Sequence, residues 1–240
     1  MNDKTNERSL REQFVQMVTD QVGKGIYVWG GNGECFDDLQ DVLRFIERHE
    51  EDEMNMRRIA ALIAKRLSDG VERFHMFDCS GLVYWALHAL GLQKKDVSSR
   101  GLYALCRHID KSELQPGDLV FHDDGKQIVH VGVSVGEEQV ECRGRDYGVV
   151  KNRRKNGYWN RFGRLLVFDQ EAKNDMVVIK GGSVRVREGD STKTRCFGIV
   201  HRGESYPLLG VAPSGWYCIS WYGSAVYITN KPQFTEVRHG

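Results

Sequence analysis

No stretch of this 240-residue sequence approaches the ~18 consecutive apolar residues that a membrane-spanning helix requires, so a helical span is not encoded. An excess of charge of one sign is missing too: 34 Lys and Arg stand against 33 Asp and Glu, a formal +1. That balance removes the global electrostatic argument for nucleic acid or for an anionic membrane as partner. The six cysteines, at positions 35, 79, 106, 142, 196 and 218, form no Cys-x-x-Cys pair and no Cys/His cluster with zinc-ligand spacing. GGNGE at 30–34 is followed by no Gly-Lys-Ser/Thr and reads as a glycine turn, not a phosphate loop. ECFDDLQD lacks the oxygen-ligand spacing of a calcium loop. Residues 1–20 contain no uninterrupted hydrophobic run, so the expectation is a chain without a cleaved secretory signal, made in the cytoplasm with reduced thiols.

What is present is globular: 40% hydrophobic and 28% charged residues, in a length that suits one large unit or a medium plus a small one. Leu10, Phe14, Met17, Val18 and Val22 fall at helical spacing over 8–23, with Gly23 and Gly25 as a stop. Two further helices are predicted over 37–49 and 54–68, joined by the acidic turn Glu50 to Glu53, and a fourth from Cys79 to Leu90. From Asp118 the texture changes to short apolar runs, DLVFH, IVHVGVSVG, QVECRG, YGVV and GRLLVF, separated by turns. Helices first and antiparallel strands afterwards predict an α+β domain. The polar stretch 169–176 is the best boundary, and the strand patterns of 177–240 suggest a small all-β barrel. Charge is uneven locally: 34–53 holds nine acids against Arg44 and Arg48, and 151–164 holds six bases and no acid. Solvated faces are the simpler reading of both runs, steering patches the alternative.

The richest segment for chemistry is FDCSGLVYWALHAL, 77–90. A cysteine in the first turn of a helix has its thiolate favoured by free backbone N–H groups and by the positive end of the helix dipole. Asp78 and Ser80, on either side of Cys79, are helix-start residues. A thiol nucleophile needs a base and a group that orients the base. His130 is an imidazole on an otherwise small and apolar strand pattern, and Glu141 lies eleven residues on, past a tight turn. A buried small cysteine and a structural histidine are the alternatives at these positions. His88 and His122 read as structural single imidazoles.

Five separated motifs in one order, YVWGG, FDCSGLV, LQPGDLVFH, VHVGVSVG and VECRG, strongly resemble the NlpC/P60 family of cysteine peptidases, which cut peptide bonds in bacterial cell-wall stems. The resemblance runs from about residue 8 to 168 and implies a papain-like α+β fold, N-terminal helices packed on an antiparallel sheet, for a domain spanning 1–170. It implies Cys79 as nucleophile, His130 as general base and acid, and Glu141 as the orienting residue. It also implies Tyr27 beside the active site as a donor to the developing oxyanion, Asp78 and Ser80 in binding the stem peptide, and Ser98, Ser99 and Arg100 along the same cleft. The hairpin after His130 is one residue shorter than the pattern, which leaves Cys142 as the competitor for the place of Glu141. An insertion of about forty residues, 34–76, separates two motifs that lie close together in relatives. A lid, a cleft wall and a passive decoration all suit its predicted helical hairpin. Residues 176–240 resemble a bacterial SH3 (SH3b) domain, whose Trp216, Tyr217, Trp221 and Tyr222 are wall-stacking or core residues.

The implied activity is hydrolysis of peptidoglycan stem peptides at the bond between D-γ-glutamate and the diamino acid, as in a phage or prophage lysin or a tail-associated enzyme. The partner is peptidoglycan or a muropeptide. No cofactor or metal, nucleic acid or membrane insertion is implied. The rivals are an amidase or acyltransferase on the same scaffold and a wall-binding protein without catalysis.

Overall fold

The computed structural model describes residues 9–155, 157–168 and 175–238. Helix α1 (Leu10–Asp20) starts at Ser9, whose hydroxyl and Glu12 form a capping box. Short strands β1 (Ile26–Tyr27) and β2 (Asn32–Cys35) follow, then α2 (Leu39–His49) and α3 (Glu53–Ser68). Asp38 and Asp52 cap these two helices by accepting from Gln40 N at 2.7 Å and Met54 N at 2.8 Å, so part of the acidic run serves as helix starts. β3 (His75–Phe77) leads into α4 (Cys79–Ala89), and α5 (Ser99–Ala104) is capped by Ser98. The first group of longer strands comprises β4 (Cys106–His108), β5 (Leu119–Asp123), β6 (Ile128–Val135), β7 (Glu138–Cys142), β8 (Val149–Arg153) and β9 (Arg161–Leu165). Seven more follow: β10 (Met176–Ile179), β11 (Ser183–Arg187), β12 (Cys196–His201), β13 (Ser205–Val211), β14 (Tyr217–Trp221), β15 (Ser224–Ile228) and β16 (Thr235–Arg238). This is the α+β composition expected, with the four predicted helices within two residues at most ends.

The chain divides into two compact units, one of Met1–Ala86, Gln115–Gly117 and Gly132–Arg154, the other of Leu87–Leu114, Asp118–Val131 and Lys155–Gly240. In the first unit β1 pairs with β3 in parallel, Ile26 with Met76 and Tyr27 with Phe77. β2 pairs with β3 antiparallel, Cys35 with His75 and Asn32 with Phe77, with a bulge at Gly33. The ends of the insertion are thereby zipped together. Its helices share one core with the strands that flank it: Val42, Phe45, Ile46, Ile59, Leu62 and Ile63 pack with Ile26, Val28 and Met76. In the same unit the end of β6 pairs with β7, and β7 with β8, both antiparallel.

In the second unit β9 pairs antiparallel with β4 and with β5. The C-terminal strands form a seven-stranded sheet in the order β12-β11-β15-β14-β13-β10-β16, around a core that includes Val177, Val186, Ile219, Val226 and Ile228. The link between β11 and β15 is the single register pair Arg187 with Tyr227, and β12 and β16 stand at the two ends of the ladder. A closed barrel is therefore not formed among the described residues, which corrects that expectation. Most of the expected boundary at 169–176 lies outside the described residues. The C-terminal strands share their unit with the segment after α4: Lys94 N donates to Ser224 Oγ at 2.7 Å, Ala225 N to Gln93 Oε1 at 3.0 Å, and Tyr227 Oη to Ala104 O.

Bases of the 151–164 run are paired with acids elsewhere in the chain. Arg164 meets the fully buried Asp118 through two bonds of 2.9 Å, Arg161 meets Asp123, and Lys151 meets Glu138. No helix among the described residues is long and apolar enough to cross a membrane.

Candidate active site

In the first unit the register Tyr27 with Phe77 sets the phenol of β1 beside the residues that follow β3, Asp78 and Cys79. Asp78 is the N-cap of α4. Its Oδ1 accepts from Ser80 N at 2.9 Å, Ser80 Oγ at 2.9 Å and Gly81 N at 2.7 Å, and its Oδ2 from Gly30 N at 3.2 Å. Asp78 N donates in turn to Gly31 O at 2.8 Å. One carboxylate thus ties the glycine turn to the helix start. The glycines are there for close approach. A Cβ on Gly81 would lie 1.9 Å from Gly31 O, and one on Gly31 would lie 2.9 Å from the Met76 carbonyl. GGNGE is a packing turn, as its sequence suggests.

Cys79 is the first residue of α4 and is partly exposed. Its backbone N–H has no hydrogen-bond partner among the described residues, as befits an N-terminal helix donor. All six cysteines are free thiols. Cys142, the competitor of Glu141, is fully buried with its thiol donating to Phe77 O at 3.4 Å. Burial and the neighbouring Cys79 and Asp78 push that thiol well above its ordinary range. Glu141 is buried and accepts from Gln139 Nε2 at 3.3 Å.

Tyr27 is held protonated. Burial raises its phenol first, Cys79 and Asp78 next, while Arg145 opposes them. Arg145 places its guanidinium 5.1 Å from the Tyr27 ring centre. The arginine is gripped by Glu50, Nε at 3.0 Å from each carboxylate oxygen and Nη2 at 2.7 Å from Oε2. Glu50 also accepts from Trp29 N at 3.0 Å and is itself buried. Sequence reasoning missed both members of this pair. Glu50 is one of four consecutive acidic residues, and nothing in their pattern separates the buried one from its solvated neighbours.

The second unit holds the other expected residues. His130, half-buried on β6, stacks on Trp159 at 5.4 Å and 22° and meets the edge of Tyr158. Ser98 caps α5, Ser99 Oγ donates to Ile128 O at 3.5 Å, and Arg100 Nη1 to Gln127 Oε1 at 3.1 Å. The start of α5 is thereby fastened to residues just before His130. Of the four C-terminal aromatics, Tyr217 and Trp221 pack on the sheet core, whereas Tyr222 is exposed. No group of three or more His, Cys, Asp or Glu among the described residues is placed to hold a metal ion.

The NlpC/P60 family model matches residues 64–179. The chain is 34% identical over 96 residues to the bifunctional muramidase/DL-endopeptidase CwlT of Bacillus subtilis (37% of this chain, 29% of that protein). It is 36% identical over 86 residues to the probable endopeptidase p60 of Listeria seeligeri (36% of this chain, 16% of that protein). It therefore spans less than a third of the length of these curated relatives. Among solved structures, the peptidoglycan hydrolase RipB of Mycobacterium tuberculosis aligns at 21% identity with a TM-score of 0.44, covering 68% of each chain. The residues around Cys79, His130 and Glu141 all fall within the matched segment, and the chain carries an NlpC/P60 family domain.

Proposed function

We propose that the protein is a cysteine peptidase that hydrolyses peptidoglycan stem peptides, at the bond between D-γ-glutamate and the diamino acid. The observation that carries this is Cys79, partly exposed at the first position of a helix whose cap is Asp78, with an unspent N–H and a protonated tyrosine beside it. The match of this segment to NlpC/P60 supplies the reaction class, and the endopeptidases among the relatives supply the substrate class.

In this reading His130 takes the Cys79 Sγ proton, and the thiolate attacks the scissile carbonyl carbon. The oxyanion of the tetrahedral intermediate accepts hydrogen bonds from Cys79 N–H and Tyr27 Oη. Collapse breaks the C–N bond, and the imidazolium of His130 gives its proton to the leaving amine. Water, deprotonated by His130, then hydrolyses the thioester and returns the thiol. Glu141 is favoured over Cys142 for orienting the imidazole because the Cys142 thiol is engaged with Phe77 O.

Mass spectrometry of defined muropeptides after incubation tests the reading. Wild-type protein yields fragments cut at the proposed bond, Cys79→Ala yields none, His130→Ala is about as inactive, and Glu141→Gln is milder. Cleavage by Cys79→Ala overturns the mechanism. Glycan-amide cleavage or acyl-transfer products identify the amidase or transferase alternative. Inert wild-type protein that still retains muropeptides identifies a binding protein.

A further inference from the structure

The insertion that separates YVWGG from FDCSG is tied to the site by more than its shared core. Three consecutive residues of the loop between β7 and β8 are held by it. Arg145 is held by Glu50 of the α2–α3 turn, and Asp146 by Arg58 of α3 through bonds of 2.7 and 2.6 Å. Tyr147 O accepts from Arg66 Nη2 of α3 at 3.0 Å. These contacts differ in character. The Arg58–Asp146 pair is nearly half exposed, whereas the Glu50 side chain is 2% exposed and that of Arg145 20%.

Glu50 has its acceptor capacity committed in two directions, to Trp29 N two residues beyond Tyr27 and to Arg145. The guanidinium so fixed lies over the Tyr27 ring and leaves Nη1 without a hydrogen-bond partner among the described residues. A carboxylate that fixes both the backbone after Tyr27 and a cation on its ring defines where the phenol stands and the potential it feels. We infer that the insertion is a working part of the site: Glu50, acting through Arg145, is a positioning residue for Tyr27. This rests on the reading of Tyr27 as the oxyanion donor in stem-peptide hydrolysis.

The pair contributes in two ways. Geometry comes from the planar fork, since a bidentate Arg–carboxylate contact fixes direction as well as distance. Electrostatics comes from the guanidinium, which strengthens the phenol as a donor at the moment negative charge develops on the substrate oxygen. Both act on the transition state and not on ground-state binding, so they belong in kcat.

The test is steady-state hydrolysis of a soluble stem peptide by Arg145→Met, Arg145→Lys and Glu50→Ala, each made in wild-type and Tyr27→Phe backgrounds, with thermal melts alongside. In the wild-type background, kcat falls about tenfold or more for Arg145→Met and Glu50→Ala while KM stays within about twofold, and Arg145→Lys recovers part of the loss. In the Tyr27→Phe background the same substitutions leave kcat unchanged, because their route to the chemistry has been removed. Equal losses in both backgrounds, or a lower melting temperature with unaltered kcat, overturn the inference. Should Glu50→Ala fail to fold, the Arg145 variants decide alone, since that side chain reaches solvent. If Tyr27→Phe and Cys79→Ala both hydrolyse like wild type, it is the reading of the site that fails, an outcome distinct from wild-type kinetics of the Arg145 variants alone.

Discussion

Asp78 shows how a single residue can answer to two accounts. The resemblance to relatives assigns it to substrate binding, and its geometry assigns it to capping α4 and holding the Gly30 turn. The two are separable. Asp78→Ala is expected to lose about 1–2 kcal/mol of stability, the ordinary cost of a deleted cap, with kcat lowered because Cys79 is the next residue. Urea denaturation beside peptide kinetics checks this, and a raised KM at unaltered stability gives the residue to substrate instead. The thiols offer a second prediction. Cys106 and Cys218, both fully buried in the second unit, are pushed up by burial, Cys218 to about 12 and Cys106 well above the ordinary range. In the unfolded chain each ionises near about 8.5. Above that pH the folded state holds protons that the unfolded state has released, so stability falls with rising pH by about 1.4 kcal/mol per thiol per unit. For Cys218 the slope ends near its folded value of about 12. Denaturation curves between pH 8 and 10 should show the decline, and replacing both thiols by alanine should lessen it, leaving the share of the likewise buried and raised Cys142. Cys79 as the candidate nucleophile is legible from sequence because helix-start chemistry is local. The preference for Glu141 over Cys142 rests in the sequence on the resemblance alone; the contact that supports it, of the Cys142 thiol with Phe77 O 65 positions away, could not be read there.

At the scale of elements, what could be read was what repeats. The helices from α1 to α4 announce themselves by spacing and caps over eleven to sixteen residues. β1, β2 and β3, two to four residues each, are too short for any period to show. They are made by pairing alone, yet they carry Tyr27 and close the insertion. α5, six residues with a glycine inside, was hidden in the same way. The insertion's helices could be placed but their role could not, since nothing local distinguishes a decoration from helices that share a core with the strands at their roots. Two substitutions on α3 make the distinction measurable. Ile59 is fully buried in the shared core, so Ile59→Ala should cost about 2–5 kcal/mol and lower peptide hydrolysis with it. Arg58→Ala, one residue away, removes only a solvent-screened pair and should leave the melting temperature nearly unchanged. Equal effects of the two would mean that the insertion is held by its surface clamps and not by its core.

At the scale of the molecule, the strands of the C-terminal sheet were individually visible as alternating apolar runs, but neither their open ladder nor their attachment could be read from them, because both depend on partners far apart in sequence. A polar stretch such as 169–176 invites a cut, and an anchoring module would survive it. The contacts within the second unit argue otherwise. Gln93 is buried, accepts from Ala225 N through Oε1, and donates through Nε2 to Lys95 O at 2.9 Å. Lys95 lies over the Phe197 and Trp221 rings, and Tyr227, fully buried, donates to Ala104 O at the end of α5. Deleting the sheet strips these partners from 93–104, the stretch that holds Ser98, Ser99 and Arg100 against the start of the His130 strand. A chain ending at Phe168 should therefore lose activity on small soluble stem peptides as well as on intact sacculi, and should melt at a lower temperature. The full-length Gln93→Ala variant should reproduce part of the effect, since it leaves Ala225 N–H unpaired at a cost of about 1–3 kcal/mol. A tether acts differently: it raises effective concentration only on an insoluble polymer, so its loss spares small substrates. Truncated protein with full activity on soluble peptides and none on sacculi would make the sheet an anchor after all, and its contacts with 93–104 incidental to catalysis.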